Sequence, residues 1–360
     1  MDQEIPADEV ILETRDGLGL ITLNRPQALN ALSLDMIRQV ATALNQWKDN
    51  DNVQAVVFIG AGDRAFCAGG DIKAFYSAGM DSRKGVVNPR VPLVFFAEEY
   101  SLNKQIFNYP KPTVSIMDGI TMGGGYGIAG HCNVRICGEK TIMAMPEVII
   151  GFFPDIGGLY HLNRCPHNFG RYLALTGDRV DGKLAVKLGL ADIYLDKVDA
   201  DAIISAAKQA CDTSDFEQAM ADTLDGSKDF ADIRNAEMIE KVFGETDVEA
   251  VFDALMADGS DVANDTLTKL RSVSPTSLKV VSAYLNKSEN MSFDDVISQD
   301  FITVQHFIRQ PDMYEGIRAK LIDKDNKPNW LPDDVEKVDE SLIKEYFTPT
   351  GYDLSDVQIF

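Results

Sequence analysis

The feature that most constrains the fold of this 360-residue chain is a run of three glycines, Gly123-Gly124-Gly125, placed shortly after an apolar segment. The segment Thr113–Met117 is typical of a short buried β-strand, and the glycines beyond it predict a turn that opens a helix. Glycine leaves backbone N–H groups uncovered, so such a turn can direct two of them at one oxygen atom. The pattern predicts an α/β protein with a ligand site where the strand ends.

A second glycine-rich loop, Ala68-Gly69-Gly70-Asp71, comes shortly after another predicted strand, Ala55–Gly60. Because ligand sites of α/β proteins form at strand ends, we expect both loops to contribute to one site. Two alternatives remain open. The loop that ends at Asp71 could be a simple glycine-rich connector, and the glycines of the run at residues 123–125 could serve only to let a helix pack closely on a sheet.

A dinucleotide site is a further alternative, because residues 125–130 fit the pattern G-x-G-x-x-G. Such a site needs an acidic residue at the end of the next strand, about 20 residues on. Glu139 comes too early for this role, and Glu147 begins an apolar run instead of ending one. The sequence therefore argues against a nicotinamide cofactor.

Two carboxylates, Glu147 and Asp155, lie eight residues apart in apolar sequence. A carboxylate in such surroundings is costly unless it is paired, hydrogen-bonded or functional. Burial of two close carboxylates would raise the pKa of at least one, which would supply an acid and a base. The alternative is a helix-capping Glu after Pro146 and a turn Asp after Pro154. Together with the glycine loops, the pair predicts acid/base groups facing an oxyanion hole, which suits chemistry at a carbonyl.

Other nucleophile and metal chemistries find little support. The chain has no Gly-x-Ser-x-Gly elbow, and its five cysteines are spaced irregularly, which is typical of reduced, packed thiols. Cys165 lies between His161 and His167, so a Cys–His dyad is an alternative, but the histidine spacing matches no usual zinc site. We expect neither a metal nor a redox cofactor.

Composition limits the partners of the chain. The net charge of −22 argues against nucleic acid, and it requires that an anionic ligand be held by local cations or backbone N–H groups. No apolar run approaches the roughly 18 residues of a membrane span, so we expect no membrane partner. The acidic start lacks the pattern of a secretory or transit leader, which predicts a cytoplasmic location.

The predicted secondary structure changes near residue 200. Before it, short apolar segments alternate with helical patterns, beginning with a hairpin around Asp16-Gly17 and a helix that Ser33 can cap. After it, helical spacing dominates. We predict three parts: a core with the site over residues 1–200, a helical region over 201–335 and a tail over 336–360.

These motifs jointly resemble the crotonase (enoyl-CoA hydratase/isomerase) superfamily, and within it the hydrolases of short acyl-CoA thioesters. The general resemblance is carried by Asn24-Arg25-Pro26, Phe66-Cys67-Ala68-Gly69-Gly70-Asp71, Gly123-Gly124-Gly125 and Pro146-Glu147. The closer one rests on Glu98-Glu99-Tyr100, Gly151-Phe152-Phe153-Pro154-Asp155-Ile156-Gly157-Gly158, Ser274-Pro275-Thr276 and Glu315-Gly316-Ile317-Arg318.

The resemblance implies a spiral of stacked ββα units followed by an α-helical C-terminal region. It implies that the N–H groups of Gly70 and Gly124 form the oxyanion hole. It gives the acid/base role to Glu147 and Asp155, and it makes Glu99 a substrate-contacting carboxylate. It also implies an acyl-CoA substrate and a homo-oligomer, a trimer or a hexamer.

Two departures from the hydratase pattern favour thioester hydrolysis. Hydratases of this superfamily carry a second glutamate where this chain has Gly127, and they usually have a small residue at the position of Asp155. The expected substrate is therefore a short acyl-CoA, with the 3-hydroxyisobutyryl group of valine breakdown as the first choice. Hydration, isomerisation or decarboxylation of an acyl-CoA is one alternative, and a non-catalytic acyl-CoA-binding module is another. Arg25 and Lys73 are the candidates for holding the CoA phosphates.

Overall fold

Two β-sheets organise the part of the chain that the computed structural model describes, residues 8–84, 91–226 and 230–354. The strands are β1 (Val10–Arg15), β2 (Leu18–Leu23), β3 (Ala55–Gly60), β4 (Ala65–Cys67), β5 (Thr113–Met117), β6 (Ile120–Met122), β7 (Val134–Gly138), β8 (Ile142–Ala144), β9 (Arg179–Asp181) and β10 (Ile193–Leu195). The larger sheet has the order β1-β2-β3-β5-β7-β10, and the smaller one has the order β4-β6-β8-β9.

Helices make up most of the rest of these ranges. They are α1 (Leu34–Lys48), α2 (Ile72–Arg83), α3 (Val91–Phe107), α4 (Gly124–Ala129), α5 (Gly158–Leu162), α6 (Phe169–Thr176), α7 (Gly182–Lys187), α8 (Ala200–Ala210), α9 (Phe216–Leu224), α10 (Ala236–Val242), α11 (Val248–Asp258), α12 (Asp261–Leu270), α13 (Pro275–Ser288), α14 (Phe293–Phe307), α15 (Pro311–Ile317) and α16 (Glu340–Glu345). None of those in the described ranges is long and apolar enough to cross a membrane. The predicted helical C-terminal region is confirmed.

The chain winds as a spiral because the strands from β3 to β8 belong alternately to the two sheets. β3, β5 and β7 lie in the larger sheet, and β4, β6 and β8, which follow them directly, lie in the smaller one. Strands β2, β3, β5 and β7 run parallel, as do β4, β6 and β8. Each turn of the spiral thus adds two strands and a helical segment, which confirms the predicted α/β spiral of ββα units.

Alternating side chains bury both faces of the larger sheet. Along β3, Val57 packs towards one cluster together with Ile203 of α8, whereas Phe58 packs towards the main core with Leu44 of α1. The side-chain oxygen of Ser33 accepts a hydrogen bond from the N–H of Met36, so the predicted cap of α1 is confirmed.

The predicted tail contains local structure. A 3₁₀ helix, Val335–Lys337, and α16 lie in it, and Tyr346 is buried with its ring centroid 4.6 Å from that of Phe307. Residues 355–360 lie outside the described residues. The division of the chain at residues 200 and 335 stays a prediction.

The C-terminal helix α15 packs on the short 3₁₀ helix Glu147–Ile150 at backbone distance. A Cβ atom on Gly316 would lie 2.6 Å from the Cα of Ile150, and one on Gly151 would lie 2.7 Å from the carbonyl carbon of Asp312. Only glycine permits such an approach from both sides. The segment that carries Glu147 is therefore fixed by a helix from the far end of the chain.

We predict that Gly316→Ala destabilises the protein by about 1–3 kcal/mol, because the added methyl group overpacks the contact with Ile150. Helix propensity alone predicts the opposite sign, a gain of roughly 1 kcal/mol for this exchange. Urea unfolding followed by circular dichroism measures the difference. A variant as stable as the wild type, or more stable, would contradict the close contact.

Candidate active site

One cavity of about 330 Å³ brings together all five residues that the sequence predicts for the site. Gly70, Gly124, Glu99, Glu147 and Asp155 all line it. The remaining lining residues are Ala68, Gly69, Ile72, Phe96, Met122, Gly123, Pro146, Ile149, Ile150, Phe152, Gly177, Arg179, Lys320 and Leu321. Most of these side chains are apolar or absent, so a polar group in the cavity is largely removed from water.

The backbone N–H groups of Gly70 and Gly124 are available to a ligand. Gly70 follows β4, and Gly124 is the first residue of α4. Neither N–H donates a hydrogen bond to any described residue. A Cβ atom on Gly124 would lie 3.3 Å from the nitrogen of Gly70, so the two residues are neighbours in space. Two free amides from separate loops can thus serve a single oxygen atom.

The chain turns into α4 at Gly123, whose φ of 48° and ψ of −126° are open to glycine alone. A Cβ atom there would lie only 2.8 Å from Oε1 of Glu147. The glycine run therefore does two things at once. It exposes the amide of Gly124, and it lets a carboxylate approach the backbone beside that amide.

Glu147 begins the 3₁₀ helix after Pro146, and its side chain is directed into the protein. The residue is 7% exposed, and its Oε2 atom has no hydrogen-bond partner among the described residues. A buried carboxylate oxygen without a partner is costly, and such atoms cluster at functional sites.

Asp155 lies in the turn between this 3₁₀ helix and α5 and is 5% exposed. Its Oδ2 atom accepts a hydrogen bond of 2.6 Å from the hydroxyl of Tyr100 on α3. Burial raises the pKa of Tyr100 well above its ordinary value, so the tyrosine remains a donor at neutral pH. Tyr100 holds Asp155 in one orientation, a role that the sequence did not reveal.

Glu99 contrasts with its neighbour Glu98 on α3. Glu98 is buried but forms two hydrogen bonds of 2.6 Å with the guanidinium of Arg38. Glu99 is 3% exposed, and its Oε1 atom has no partner among the described residues. A Cβ atom on Gly124 would overlap this oxygen, so Glu99 stands directly beside the amide pair.

Each of the three carboxyls in the cavity has a raised pKa, and burial is the largest cause in every case. Burial raises the pKa of Glu147 and of Glu99 well above the ordinary value, and the nearby Asp155 adds to both shifts. Burial also raises the pKa of Asp155 to about 7, although the hydrogen bond from Tyr100 opposes this change. Near neutral pH the cluster therefore holds protons that it can donate as well as oxygens that can accept them.

The cations that line the cavity differ from those expected from the sequence. Arg25 forms ion pairs with Glu9 at 3.1 Å and with Asp71 at 3.2 Å, and Lys73 does not line the cavity. Arg179 and Lys320 do line it, and both are exposed. Sequence reasoning missed them because neither lies in a glycine loop or beside a carboxylate of the pair.

The other chemistries considered do not form here. Sγ of Cys165 lies 3.7 Å from the backbone oxygen of His161, and burial raises the pKa of this thiol to about 12, so it is neither paired with an imidazole nor activated. Within the described ranges, no group of three or more His, Cys, Asp or Glu side chains could hold a metal ion.

Gly127, the position at which hydratases carry their second glutamate, is closely surrounded by other side chains. A Cβ atom there would lie 2.9 Å from Nδ2 of Asn103 and 3.2 Å from Cβ of Ile156. The asparagine is fixed, since its Nδ2 donates a hydrogen bond of 2.9 Å to the carbonyl oxygen of Gly127. This position therefore adds no acid or base to the site.

Comparison with known proteins gives a consistent result. A sequence profile described as enoyl-CoA hydratase/isomerase matches residues 18–347. Among curated relatives, the mitochondrial 3-hydroxyisobutyryl-CoA hydrolase of Xenopus laevis is 41% identical over 92% of this chain and 87% of its own length. The protein of the same name from Homo sapiens is 37% identical over 96% of this chain and 90% of its own length.

Solved structures agree with the fold. A carnitinyl-CoA dehydratase from Mycobacterium thermoresistibile matches with a TM-score of 0.87 and 34% identity, over 97% of this chain and 99% of that one. An enoyl-CoA hydratase from Rhodobacter sphaeroides matches with a TM-score of 0.85 and 31% identity, over 96% of this chain and 98% of that one.

The raised pKa of Asp155 leads to a prediction for stability. The carboxyl of Asp155 has a pKa of 3.8 in the unfolded state and of about 7 in the folded state. Between these two pH values the folded state binds more protons at this group than the unfolded state, so stability falls as the pH rises from one to the other. Asp155→Asn removes this effect and should be more stable than the wild type at pH 8, by on the order of 2 kcal/mol. The gap should shrink towards pH 4.

Chemical unfolding at the two pH values measures this difference. Asp51→Asn, at an exposed loop residue, is the matched control, and it should change stability by less than about 0.5 kcal/mol at either pH. A gap for Asp155→Asn that is equal at pH 4 and pH 8 would contradict the raised pKa.

Proposed function

Because the chain belongs to the enoyl-CoA hydratase/isomerase family, we propose that it is a thioester hydrolase that converts 3-hydroxyisobutyryl-CoA and water into 3-hydroxyisobutyrate and CoA in valine breakdown. The observation that carries the proposal is the geometry of the cavity. Two free amides, of Gly70 and Gly124, line the same cavity as Glu99 and Glu147, each of which has one buried oxygen without a hydrogen-bond partner among the described residues. The name shared by relatives over nearly the whole chain supports this substrate.

The amides of Gly70 and Gly124 bind the thioester oxygen and stabilise it as it becomes an oxyanion. They are preorganised, since glycine geometry fixes both, and they act in a cavity with mostly apolar walls. Loss of one such donor typically raises a barrier by about 3–4 kcal/mol.

Glu147 initiates the attack on the carbonyl carbon by one of two routes. It removes a proton from water, whose oxygen then adds to the carbon, or its own carboxylate adds and forms an anhydride that water cleaves. In both routes the C–S bond breaks, and the CoA sulfur leaves with a proton as the free thiol. The unpartnered Oε2 of Glu147 is the atom available for this role.

Asp155 and Glu99 assist Glu147, the first in proton transfer and the second in substrate binding. Asp155 has a pKa raised to about 7, so it can exchange a proton with Glu147 and orient water or the substrate hydroxyl near neutral pH. Glu99 stands beside Gly124 with a free oxygen, where it can accept a hydrogen bond from the hydroxyl of the acyl group. A hydroxyacyl substrate would provide the partner that this oxygen lacks.

Hydration of an enoyl-CoA is the second candidate, and the names of the two solved relatives favour it. Hydration in this family uses two glutamates. This chain has Gly127 in place of the second glutamate, and a larger side chain there would have to displace Asn103 or Ile156, which argues against hydration. A measurement of thiol release separates the two reactions, since hydration leaves the thioester intact.

We further propose that the reaction needs no metal or redox cofactor, because the amides polarise the thioester carbonyl and the carboxyls supply the acid and base. A cytoplasmic location and a trimeric or hexameric assembly stay predictions. The curated relatives carry the word mitochondrial in their names, so cell fractionation is the direct test of location.

We predict rapid release of free thiol from 3-hydroxyisobutyryl-CoA, in buffer that contains a chelator and no added cofactor. Glu147→Gln should lower kcat by at least about 100-fold, because it removes the base or nucleophile. Asp155→Asn should also lower kcat. Glu139→Gln, at an exposed loop residue, is the control that should leave turnover unchanged. Absence of thiol release by the wild type, with hydration of crotonyl-CoA instead, would rule out the hydrolase.

The two routes for Glu147 differ in the fate of labelled water. Repeated turnover in H₂¹⁸O puts the label into the Glu147 carboxylate if an anhydride forms and water attacks the enzyme's acyl carbon. Label found only in the product excludes attack of water on the enzyme's acyl carbon, and it is the outcome both of direct activation of water and of an anhydride that water cleaves at the substrate's acyl carbon. Mass spectrometry of the peptide that contains Glu147 distinguishes these outcomes.

The cations of the cavity give a separate prediction for CoA binding. Lys320→Ala should raise KM for the CoA ester roughly fivefold, about 1 kcal/mol, with kcat unchanged, because Lys320 would meet the CoA phosphates and not the acyl group. The effect should fade at high salt. Lys344→Ala, on α16, is the control. An unchanged KM for Lys320→Ala at low salt would exclude this contact.

A further inference from the structure

The peptide group between Ile156 and Gly157, next to Asp155, is hydrogen-bonded at both ends by buried side chains. The carbonyl oxygen of Ile156 lies 2.8 Å from Nε2 of His131. The N–H of Gly157 donates a hydrogen bond of 2.7 Å to Oδ2 of Asp300 on α14. Two groups from distant parts of the chain therefore hold the turn that carries Asp155.

This turn needs such support because its backbone is unusual. Ile156 has a φ of 56°, a value that is costly for a β-branched residue, and Gly157 follows with a φ of 72°. A Cβ atom on Gly157 would lie 2.9 Å from Cζ of Phe293 and 3.3 Å from Cδ1 of Ile297, so α14 presses directly on the turn. Without partners for its peptide group, the turn would have lower-energy alternatives.

The hydrogen bonds of His131 fix the tautomers of two imidazoles. A carbonyl oxygen only accepts, so Nε2 of His131 carries the proton, and Nδ1 accepts from Nε2 of His161 at 3.0 Å. Burial lowers the pKa of His131 to about 3 and that of His161 well below its ordinary value, so both stay neutral. The donor to Ile156 is thus present throughout the working pH range.

On the opposite side, Asp300 is fully buried and belongs to a chain of hydrogen bonds. Its Oδ1 lies 2.6 Å from the hydroxyl of Tyr284, which lies 2.9 Å from the carbonyl oxygen of Val296. The hydroxyl of Tyr284 donates to Oδ1, and Oδ2 accepts from Gly157, so both carboxyl oxygens of Asp300 have a partner. Burial raises the pKa of Asp300 well above its ordinary value, and Asp155 adds to the shift, although the hydrogen bonds from Tyr284 and Gly157 oppose it.

We propose that His131 and Asp300 are positioning residues that hold the Ile156–Gly157 peptide and thereby keep the carboxyl of Asp155 against Tyr100 at the cavity. The inference rests on the proposed function only for its kinetic consequence. A buried acid close to another buried acid weakens the fold, and an apolar residue would be cheaper there. A buried acid at such a position is typical of a site that trades stability for geometry.

Two matched pairs of variants test the proposal. Asp300→Asn keeps an oxygen for Gly157 and an N–H for Tyr284, whereas Asp300→Leu keeps the size and loses both. His131→Gln keeps a donor for Ile156, and His131→Met does not. We expect the Leu and Met variants to lose at least about tenfold in kcat with KM within about twofold, since displacement of a catalytic group acts on the chemical step. The Asn and Gln variants should restore most of this loss.

Amide hydrogen exchange supplies a readout that does not depend on any activity. Peptides that span residues 152–160 should exchange faster in Asp300→Leu and His131→Met than in the wild type, and their matched partners should restore protection. Folded Leu and Met variants with wild-type kcat and wild-type exchange would overturn the proposal. So would a loss of kcat that Asn and Gln do not restore.

The design separates this proposal from the proposed function. Absence of thiol release by the wild type would refute the hydrolase, and the exchange experiment would still decide whether the peptide is held. If Asp300→Leu does not fold, the His131 pair decides with the same two readouts.

Discussion

The burial of three carboxyls in one cavity, none of them in an ion pair with a described residue, is the constraint on which the rest of the structure depends. Glu98 shows the ordinary solution, a bidentate pair with Arg38. Glu99, Glu147 and Asp155 lack it, and burial raises the pKa of each. Such a cluster is unfavourable for the fold, so its surroundings must hold it in place. It also provides the mixture of proton donors and acceptors that thioester cleavage needs.

Two devices hold the cluster. The first is glycine, whose missing side chain permits close approach. At Gly123 the carboxylate of Glu147 approaches the backbone, and at Gly316 the backbone of Ile150 does so. The second is the C-terminal helical region, which reaches both segments of the site. Helix α15 packs on the 3₁₀ helix of Glu147, and α14 presses on the turn of Asp155. The spiral core supplies the amides, and the helices added after it supply the rigidity of the carboxyl side.

Much of this organisation could be predicted from the sequence, because its causes are local. The apolar strand Thr113–Met117, the glycine run after it and the carboxylates in apolar sequence are each visible in a few residues. The rest depends on contacts between distant segments. Lys320 lines the cavity although it lies 173 residues beyond Glu147. In the sequence alone, Asp300 cannot be distinguished from the other acidic residues of α14. Resemblance singled out Glu99, but only packing separates it from Glu98.

The crowding at Gly127 has a consequence for how reactions can diverge on this scaffold. A side chain at this position would press on Asn103 and on Ile156, and Ile156 belongs to the turn that carries Asp155. Installing the second glutamate of a hydratase would therefore disturb the carboxylate that a hydrolase needs. The two arrangements therefore compete for the same space, and a glutamate at position 127 requires Asn103 and the 155–157 turn to shift together.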